Sequence, residues 1–240
     1  KVILRGPILT RSGYGEQTRF ALRSLLSRED LFDIYLHPLT WGKTSWLYED
    51  NEERTVIDHL IRKTMAHTQA GGQFDISVQC TIPNEWEKIA PVNVGYTAGI
   101  ETNRVAPHWI EVANQVVDRV IVVSEHSKAG FIDTVHHGTH TQTGQPVVVQ
   151  LQKDYDIRSV GYPVKTFEHT PEIEIDVATE FNFLCVAQMG PRKNLQNTIK
   201  WFYEEFHDNP DVGFILKTNV ARNCLMDRHR IHRDLATTVN

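Results

Sequence analysis

The sequence predicts an α/β protein with doubly wound parallel sheets. Short apolar runs alternate with segments whose apolar residues recur every three or four positions, as along helices that pack on a sheet. A glycine-rich loop at 6–15 separates the first strand from the first helix, and a linker containing Pro163 and Pro171 follows the last predicted element of the first half. We therefore expect two Rossmann-like domains, residues 1–165 and residues 166–240, the second of them incomplete in this chain.

The elements of the first domain follow from this alternation. Residues 136–153 are less regular, and we interpret them as an insertion or a hairpin. Pro107 suits the first turn of a helix and Ser124 suits a helix cap. The pattern predicts strands at 1–5, 32–36, 75–79, 92–96 and 119–123, and helices at 16–27, 52–68, 107–117 and 125–135.

Composition and charge narrow the class of protein. The 240 residues carry a formal net charge of -5 and no long run of Lys or Arg, so nucleic acid is not an expected partner. No apolar stretch approaches the length of a membrane span. Cys80, Cys185 and Cys224 lie far apart, which favours free thiols in a reducing compartment and predicts a cytoplasmic location.

Residues 181–217 give the strongest functional signal. An apolar run at 181–187 predicts a buried strand, Gly190 ends it, and a second buried strand is predicted at 212–216. Asn194 is placed to cap the helix between them. The segment is therefore a parallel strand–helix–strand crossover.

Arg192 and Lys193 stand where this crossover binds ligands. Parallel sheets bind ligands at the carboxyl ends of their strands, and a helix N-terminus favours anions. Two cations beside free backbone N–H groups predict a diphosphate-binding site. The alternative interpretation is a solvated Arg-Lys turn.

These residues resemble the start of the second domain of GT-B glycosyltransferases, especially the retaining members that use nucleotide sugars. In that family a strand ending in Gly is followed by Arg-Lys and a helix, and the two cations hold the donor diphosphate. Gly190, Arg192, Lys193 and Asn194 match this pattern, and Lys217 matches a common family position at the end of the next strand.

The first domain contributes further candidates. Gly13, Tyr14 and Gly15 resemble the glycine-rich loop of the GT-B first domain, which implies a donor-binding role. The alternative is a tight turn between strand and helix that binds no ligand. We expect Thr97 to line the cleft in an exposed loop after the fourth strand. Ser124 is a second cleft-lining candidate, although helix capping alone explains it.

Glu101 is the candidate catalytic residue, because its carboxylate follows the fourth strand where an acceptor hydroxyl can reach it. Its alternative is an exposed acid with no function. Many related transferases carry a His near this loop, whereas here the next His is His108, in the following helix.

The resemblance implies transfer of a sugar from a nucleotide-sugar donor, as co-substrate, to a hydroxyl of a glycan, lipid or protein acceptor. It also implies retention of configuration and chemistry that needs neither a metal nor another cofactor. The paired Glu motif of many retaining members would lie beyond Asn240. Two alternatives are a non-catalytic sugar or nucleotide-binding module and another Rossmann-type nucleotide-sugar enzyme, although the latter's GxGxxG fingerprint is missing.

Two weaker patterns suggest metal binding. Asp154 and Asp156 form a DxD motif, which holds a divalent metal in the other large glycosyltransferase fold. His136, His137 and His140 are closely spaced, but we favour a solvated loop for them. We expect no metal site in either place.

Overall fold

The computed structural model describes residues 1–139, 142–164, 166, 172, 174–222 and 224–239. The chain divides into two compact units. The first unit comprises Lys1–Trp41 and Trp46–Val164, and the second comprises Gly42–Ser45 and Lys165–Asn240. No helix among the described residues is both long and apolar enough to cross a membrane.

The first unit alternates strands and helices as predicted, with ends that differ by a few residues. A short 3-10 turn spans Pro83–Glu85. Its helices are α1 (Gly13–Leu26), α2 (Glu52–Gln69), α3 (Pro107–Val116) and α4 (Glu125–Ile132). Its strands are β1 (Val2–Gly6), β2 (Ile34–Pro38), β3 (Ile76–Gln79), β4 (Val92–Tyr96), β5 (Arg119–Val122), β6 (Val135–Thr139), β7 (Pro146–Gln150) and β8 (Ile157–Ser159).

Six of these strands form one parallel sheet in the order β2-β1-β3-β4-β5-β8. The predicted α/β class with a parallel sheet is therefore confirmed for this unit. Strand β8 was not predicted, and it pairs with β5 through Val120 opposite Ile157. Strands β6 and β7 pair antiparallel, which confirms the predicted hairpin. His136 and His137 lie in β6, whereas His140 is outside the described residues.

The core of the first unit consists of two apolar clusters. One gathers side chains of β1, β2, α1 and α2, and the other gathers side chains of α3, α4, β5 and β8. Val120 and Val122 belong to the second cluster, while Ile121 and Val123 pack in the first. Alternate residues of this strand are thus buried in different clusters, as in sheets covered on both faces.

The second unit contains the predicted strand–helix–strand crossover. Strands β9 (Phe181–Gln188) and β10 (Val212–Asn219) pair in parallel, and α5 (Leu195–Phe206) connects them, with α6 (Leu225–Val239) following β10. Helix α5 packs on one sheet face, where the ring of Phe202 lies 4.9 Å from that of Phe214. That residues 166–240 begin a second Rossmann-like domain stays a prediction.

The prediction that β9 is a buried strand is wrong in this structure. The side chains of Leu184 and Val186 are 66% and 64% exposed. They point away from the face on which α5 packs, because side chains alternate along a strand. Among the described residues, no element covers that second face, so only the aromatic side of the strand is packed.

Candidate functional site

The first unit places its candidate residues at one edge of the sheet. Strand β1 lies between β2 and β3, so the direction of winding reverses at β1. Ligands of open parallel sheets bind outside the carboxyl ends of the strands at such a switch point. A ligand site of this unit is therefore expected at the loops that follow β1, β3, β4 and β5.

The loop after β1 is held tightly against the start of α1. The Ser12 hydroxyl caps the helix by accepting the N–H of Gly15 at 3.0 Å. A Cβ on Gly15 would overlap the backbone oxygen of Thr10, whereas a Cβ on Gly13 would meet nothing within 4 Å. Position 15 therefore requires glycine because the helix and the loop approach each other closely there. Gly13, by contrast, is exposed on the surface.

Tyr14 joins this helix to the loop after β4. Its hydroxyl accepts the N–H of Ala98 at 3.1 Å and lies 2.9 Å from the hydroxyl of Thr97. Burial raises the pKa of the Tyr14 phenol, which keeps it neutral and able to donate to Thr97. Tyr14 thus positions the β4 loop in this structure, a role that the sequence did not indicate.

Thr97 differs from its predicted placement. Its side chain is 1% exposed and is engaged by Tyr14, so it does not line an exposed loop. Its N–H also donates to the carbonyl of Ile121 at 3.1 Å, which continues the sheet pairing one residue beyond β4. Packing against the neighbouring strand explains why a polar residue after a strand is buried here.

Three side chains meet at the switch point, and we call Tyr14, Trp41 and Glu85 the switch-point cluster. The ring of Trp41 meets that of Tyr14 edge-on at 4.8 Å, and its indole N–H donates to Glu85 Oε1 at 3.1 Å. The Cys80 thiol and the hydroxyl of Thr18 are hydrogen-bonded, which ties the end of β3 to the first turns of α1.

Several polar atoms of the first unit are buried with no hydrogen-bond partner among the described residues. They are both amide atoms of Gln17, the hydroxyl of Thr81, Oε2 of Glu85 and the indole nitrogen of Trp86. Leaving a buried polar group without a partner costs about 1–3 kcal/mol, so such groups call for an explanation. A bound polar ligand or ordered water that reaches these atoms would remove that cost.

A buried polar layer fixes the backbone next to Glu85. Arg5 is 7% exposed, and its guanidinium donates to the carbonyl of Glu85 at 2.7 Å and to Glu87 at 3.0 Å. The amide of Gln79 donates to the carbonyl of Glu87 at 2.6 Å. Because these bonds join β1 and β3 to the turn, the carboxylate of Glu85 has a defined position beside Trp41.

Glu101 lies in the exposed loop between β4 and α3, as predicted. Next to it, the carbonyl of Thr102 accepts a hydrogen bond from His126 Nε2 at 3.1 Å. His126 stands in the first turn of α4, so the fold brings a His of α4 to the loop that carries Glu101. The sequence contains one indication of this placement, because His126 follows Ser124 by two residues at the carboxyl end of a predicted strand.

Ser124 caps α4, as expected. Its hydroxyl accepts the N–H of Ser127 at 3.1 Å and lies 3.0 Å from the Ser127 hydroxyl, which in turn accepts the N–H of Ile100 at 3.2 Å. These bonds connect the start of α4 to the β4 loop. Helix capping and loop positioning therefore account for both hydroxyls.

The second unit places Arg192 and Lys193 on an exposed 3-10 turn between β9 and α5. The first hydrogen bond of α5 runs from the N–H of Thr198 to the carbonyl of Asn194 at 3.1 Å. The N–H groups of residues 195–197 thus precede the first bond within the helix. A turn with two cations directly before such N–H groups is suited to an anionic ligand.

Asn194 caps this helix differently from the prediction. It adopts a left-handed conformation, with φ 51° and ψ 35°, and its side chain makes no capping bond to the helix backbone. Its Oδ1 accepts the side-chain N–H of Asn197 at 2.9 Å instead. Asn tolerates this backbone conformation better than most residues, so the turn itself explains the choice of residue.

Gly190 and Lys217 occupy the same end of the second unit. Gly190 is extended, and a Cβ there would meet nothing within 4 Å, so sterics alone do not require glycine. Lys217 lies opposite Val186 in the register and is exposed. Since the ring of Phe214 packs on α5, alternation along β10 places the Lys217 side chain on the other sheet face.

Asp156 and Tyr155 of the DxD motif make structural contacts. Asp156 accepts hydrogen bonds from Arg158 at 2.7 Å and forms an ion pair with Arg119 at 2.6 Å, and these cations hold its pKa below the usual value. The hydroxyl of Tyr155 donates to the carbonyls of Ala113 and Val117. The motif therefore anchors the entry to β8 against β5 and α3.

Among the described residues of the first unit, cavities also open away from the switch point, two of which are large. One, of about 520 Å³, lies between the end of α1 and α2, and the other, of about 420 Å³, runs beside β2 under Met65 and Phe74. Both flank the edge strand rather than the carboxyl ends of β1 and β3. Because Tyr14, Trp41 and Glu85 meet at the switch point instead, we place the candidate site of this unit there.

Comparisons with protein-family models, curated proteins and solved structures found no match for this chain. The resemblance to GT-B glycosyltransferases therefore rests on the residues described above, and it stays a prediction.

Proposed function

We propose that this protein is a glycosyltransferase of the GT-B type, which moves a sugar from a nucleotide-sugar donor to an acceptor hydroxyl. The observation that carries the proposal is the exposed turn with Arg192 and Lys193 at the carboxyl end of β9, directly before the N-terminus of α5. The six-stranded parallel sheet of the first unit supports it, because GT-B enzymes are built from such sheets.

The proposed role of Arg192 and Lys193 is electrostatic stabilisation of the leaving diphosphate. When the bond between the sugar and the diphosphate breaks, negative charge develops on the leaving oxygen. Fixed cations and helix N–H groups stabilise that charge more in the transition state than in the bound donor, which lowers the barrier. Gly190 leaves room for the donor to approach, and Lys217 is a further candidate for the phosphates.

The first unit is proposed to bind the acceptor. Trp41 and Glu85 of the switch-point cluster are partly exposed, and they offer an aromatic ring and a carboxylate to a sugar. Glu101 and His126 border one loop and are the candidates to accept the proton of the attacking hydroxyl. Gly13 and Tyr14 remain the donor-side candidates of the loop after β1, whereas Gly15 is explained by packing.

The test is turnover with a panel of nucleotide sugars. The chain is incubated with each donor and with glycan or lipid acceptors, and released nucleoside diphosphate is measured. We expect release with at least one donor, and we expect Glu101→Gln or His126→Asn to lower kcat while KM for the donor changes little. Proton NMR of the product gives the anomeric configuration, for which retention is proposed.

A donor that binds without any release of diphosphate would contradict the transferase proposal and would favour a non-catalytic binding module. Unchanged kcat in both variants would remove Glu101 and His126 from the proposed proton transfer. Lys128→Gln, on the same helix as His126, is the matched control and should behave like the parent.

A further inference from the structure

Helix α6 presents an exposed face that combines cations with apolar side chains. Leu225 and Met226, in its first turn, are 67% and 80% exposed. The chain as a whole has a formal net charge of -5, so a cluster of cations here is a local feature. The exposed basic residues are Arg222, just before the helix, and Arg228, His229, Arg230, His232 and Arg233 within it.

The spacing places His229, His232 and Arg233 on the side of the helix away from Ile231, with Arg228 and Arg230 on its two flanks. Ile231 is 9% exposed and points toward the rest of the unit, and Asp227 and Asp234 on either side of it are half-buried. Leu225 and Arg233 fall on the opposite side, since residues four apart share a face and these are eight apart. The face extends for about 12 Å along the axis at 1.5 Å per residue.

The positive charge of this face is only partly compensated. Arg230 and Arg233 lie 3.5 Å and 3.6 Å from the carboxylate of Asp234. Among the described residues, no carboxylate lies within ion-pair distance of Arg222 or Arg228.

The acid at the start of the helix faces inward. Asp227 accepts the backbone N–H of Arg222 at 2.6 Å and that of Ala221 at 3.3 Å. This contact fixes the backbone of Arg222 beside the first turn of the helix. An anionic partner would meet the exposed basic side chains of this face.

We propose that this face of α6 binds an anionic membrane surface. Helices that lie in a membrane interface combine large apolar side chains with Lys and Arg on a solvent-facing side. Leu225 and Met226 would enter the boundary between headgroups and acyl chains, and the basic side chains would contact lipid phosphates and carboxylates. The exposed apolar pair favours a lipid surface over a nucleic acid or an acidic peptide, because those ligands leave Leu225 and Met226 in water.

The test is flotation of the full chain with vesicles of phosphatidylcholine alone or of equal parts phosphatidylcholine and phosphatidylserine. We expect binding to the anionic vesicles, little binding to the neutral ones, and release as salt is raised. The pair Arg228→Glu and Arg233→Glu should weaken anionic binding at least about thirtyfold. The pair Leu225→Ser and Met226→Ser should weaken it about tenfold.

The matched control carries the same kinds of change on the first unit, Arg62→Glu with Leu31→Ser, both at exposed positions. Circular dichroism verifies that every variant is folded. The proposal is overturned if the parent does not float with anionic vesicles, if it binds neutral vesicles equally well, or if the α6 variants bind like the parent. Binding to an RNA oligonucleotide with none to vesicles would likewise reject it.

Discussion

The two units hold their candidate ligand residues in opposite ways. At the switch point of the first unit, Tyr14, Thr97 and Glu85 are tied by hydrogen bonds to neighbouring strands and loops. In the second unit, Arg192 and Lys193 are exposed on a short turn. The comparison teaches that fold and site share the same residues in the first unit, whereas in the second the proposed ligand residues are exposed, and we expect that they can be changed without disturbing the packing.

The largest expected effect is at Gly15. Gly15→Ala puts a methyl group onto the backbone oxygen of Thr10 and must push α1 away from the loop. We expect a loss of about 3 kcal/mol in the free energy of unfolding, measured by urea denaturation. Gly13→Ala, two residues away in open space, is the control and should change stability by less than about 0.5 kcal/mol. Equal effects of the two changes would show that the loop is not held as described.

An intermediate effect is expected from alkaline pH. Burial raises the pKa of the Cys80 thiol and of the Tyr96 phenol, each to about 12. The unfolded chain ionises these groups at a lower pH, so the stability they contribute is full below about pH 9 and is lost as the pH rises toward 12.

In Tyr96→Phe the free energy of unfolding should fall less with rising pH than in the parent, by about 2 kcal/mol at pH 12. The reason is that the variant has no phenol at this position that must stay neutral in the folded protein. Tyr203→Phe, at a 52% exposed position of the second unit, is the control. Urea unfolding at pH 8, 10 and 12 measures both variants, and parallel curves for Tyr96→Phe and the parent would refute the assignment.

The smallest expected effect on stability is at the turn of the second unit. Replacing Arg192 and Lys193 together by Ala should change the free energy of unfolding by less than about 0.5 kcal/mol, because exposed surface substitutions seldom do more. The thermal midpoint of the double variant measures this. A large loss would show that the turn belongs to the packing of the second unit and would remove the contrast between the two.

The periodicity of the sequence was enough to predict the parallel sheet and most of its elements. Strand β8 was missed because its three residues carry no apolar run, and its place depends on pairing with β5. The exposure of Leu184 and Val186 was also missed, since an apolar run predicts a strand but not which faces are covered. Local pattern therefore predicts elements better than their surroundings.

The site was predicted less well than the fold, for a related reason. Which loops meet depends on strand order, and strand order is not visible in a single sequence. This is why His126 was not associated with the loop of Glu101, and why Glu85 was not associated with Tyr14. The Arg192-Lys193 turn was easier to place, because a strand, a turn and a helix in direct succession fix it.

The most direct measurement of the central claim is calorimetric titration of the parent and of the Arg192→Ala, Lys193→Ala double variant with UDP, GDP and ADP. Bonds to charged groups are worth about 1.5–3 kcal/mol each, so losing two should weaken binding at least about a hundredfold. We predict that at least one diphosphate binds the parent and that the variant loses that affinity while remaining folded. Equal affinity in the two proteins would contradict the proposal that this turn holds a diphosphate.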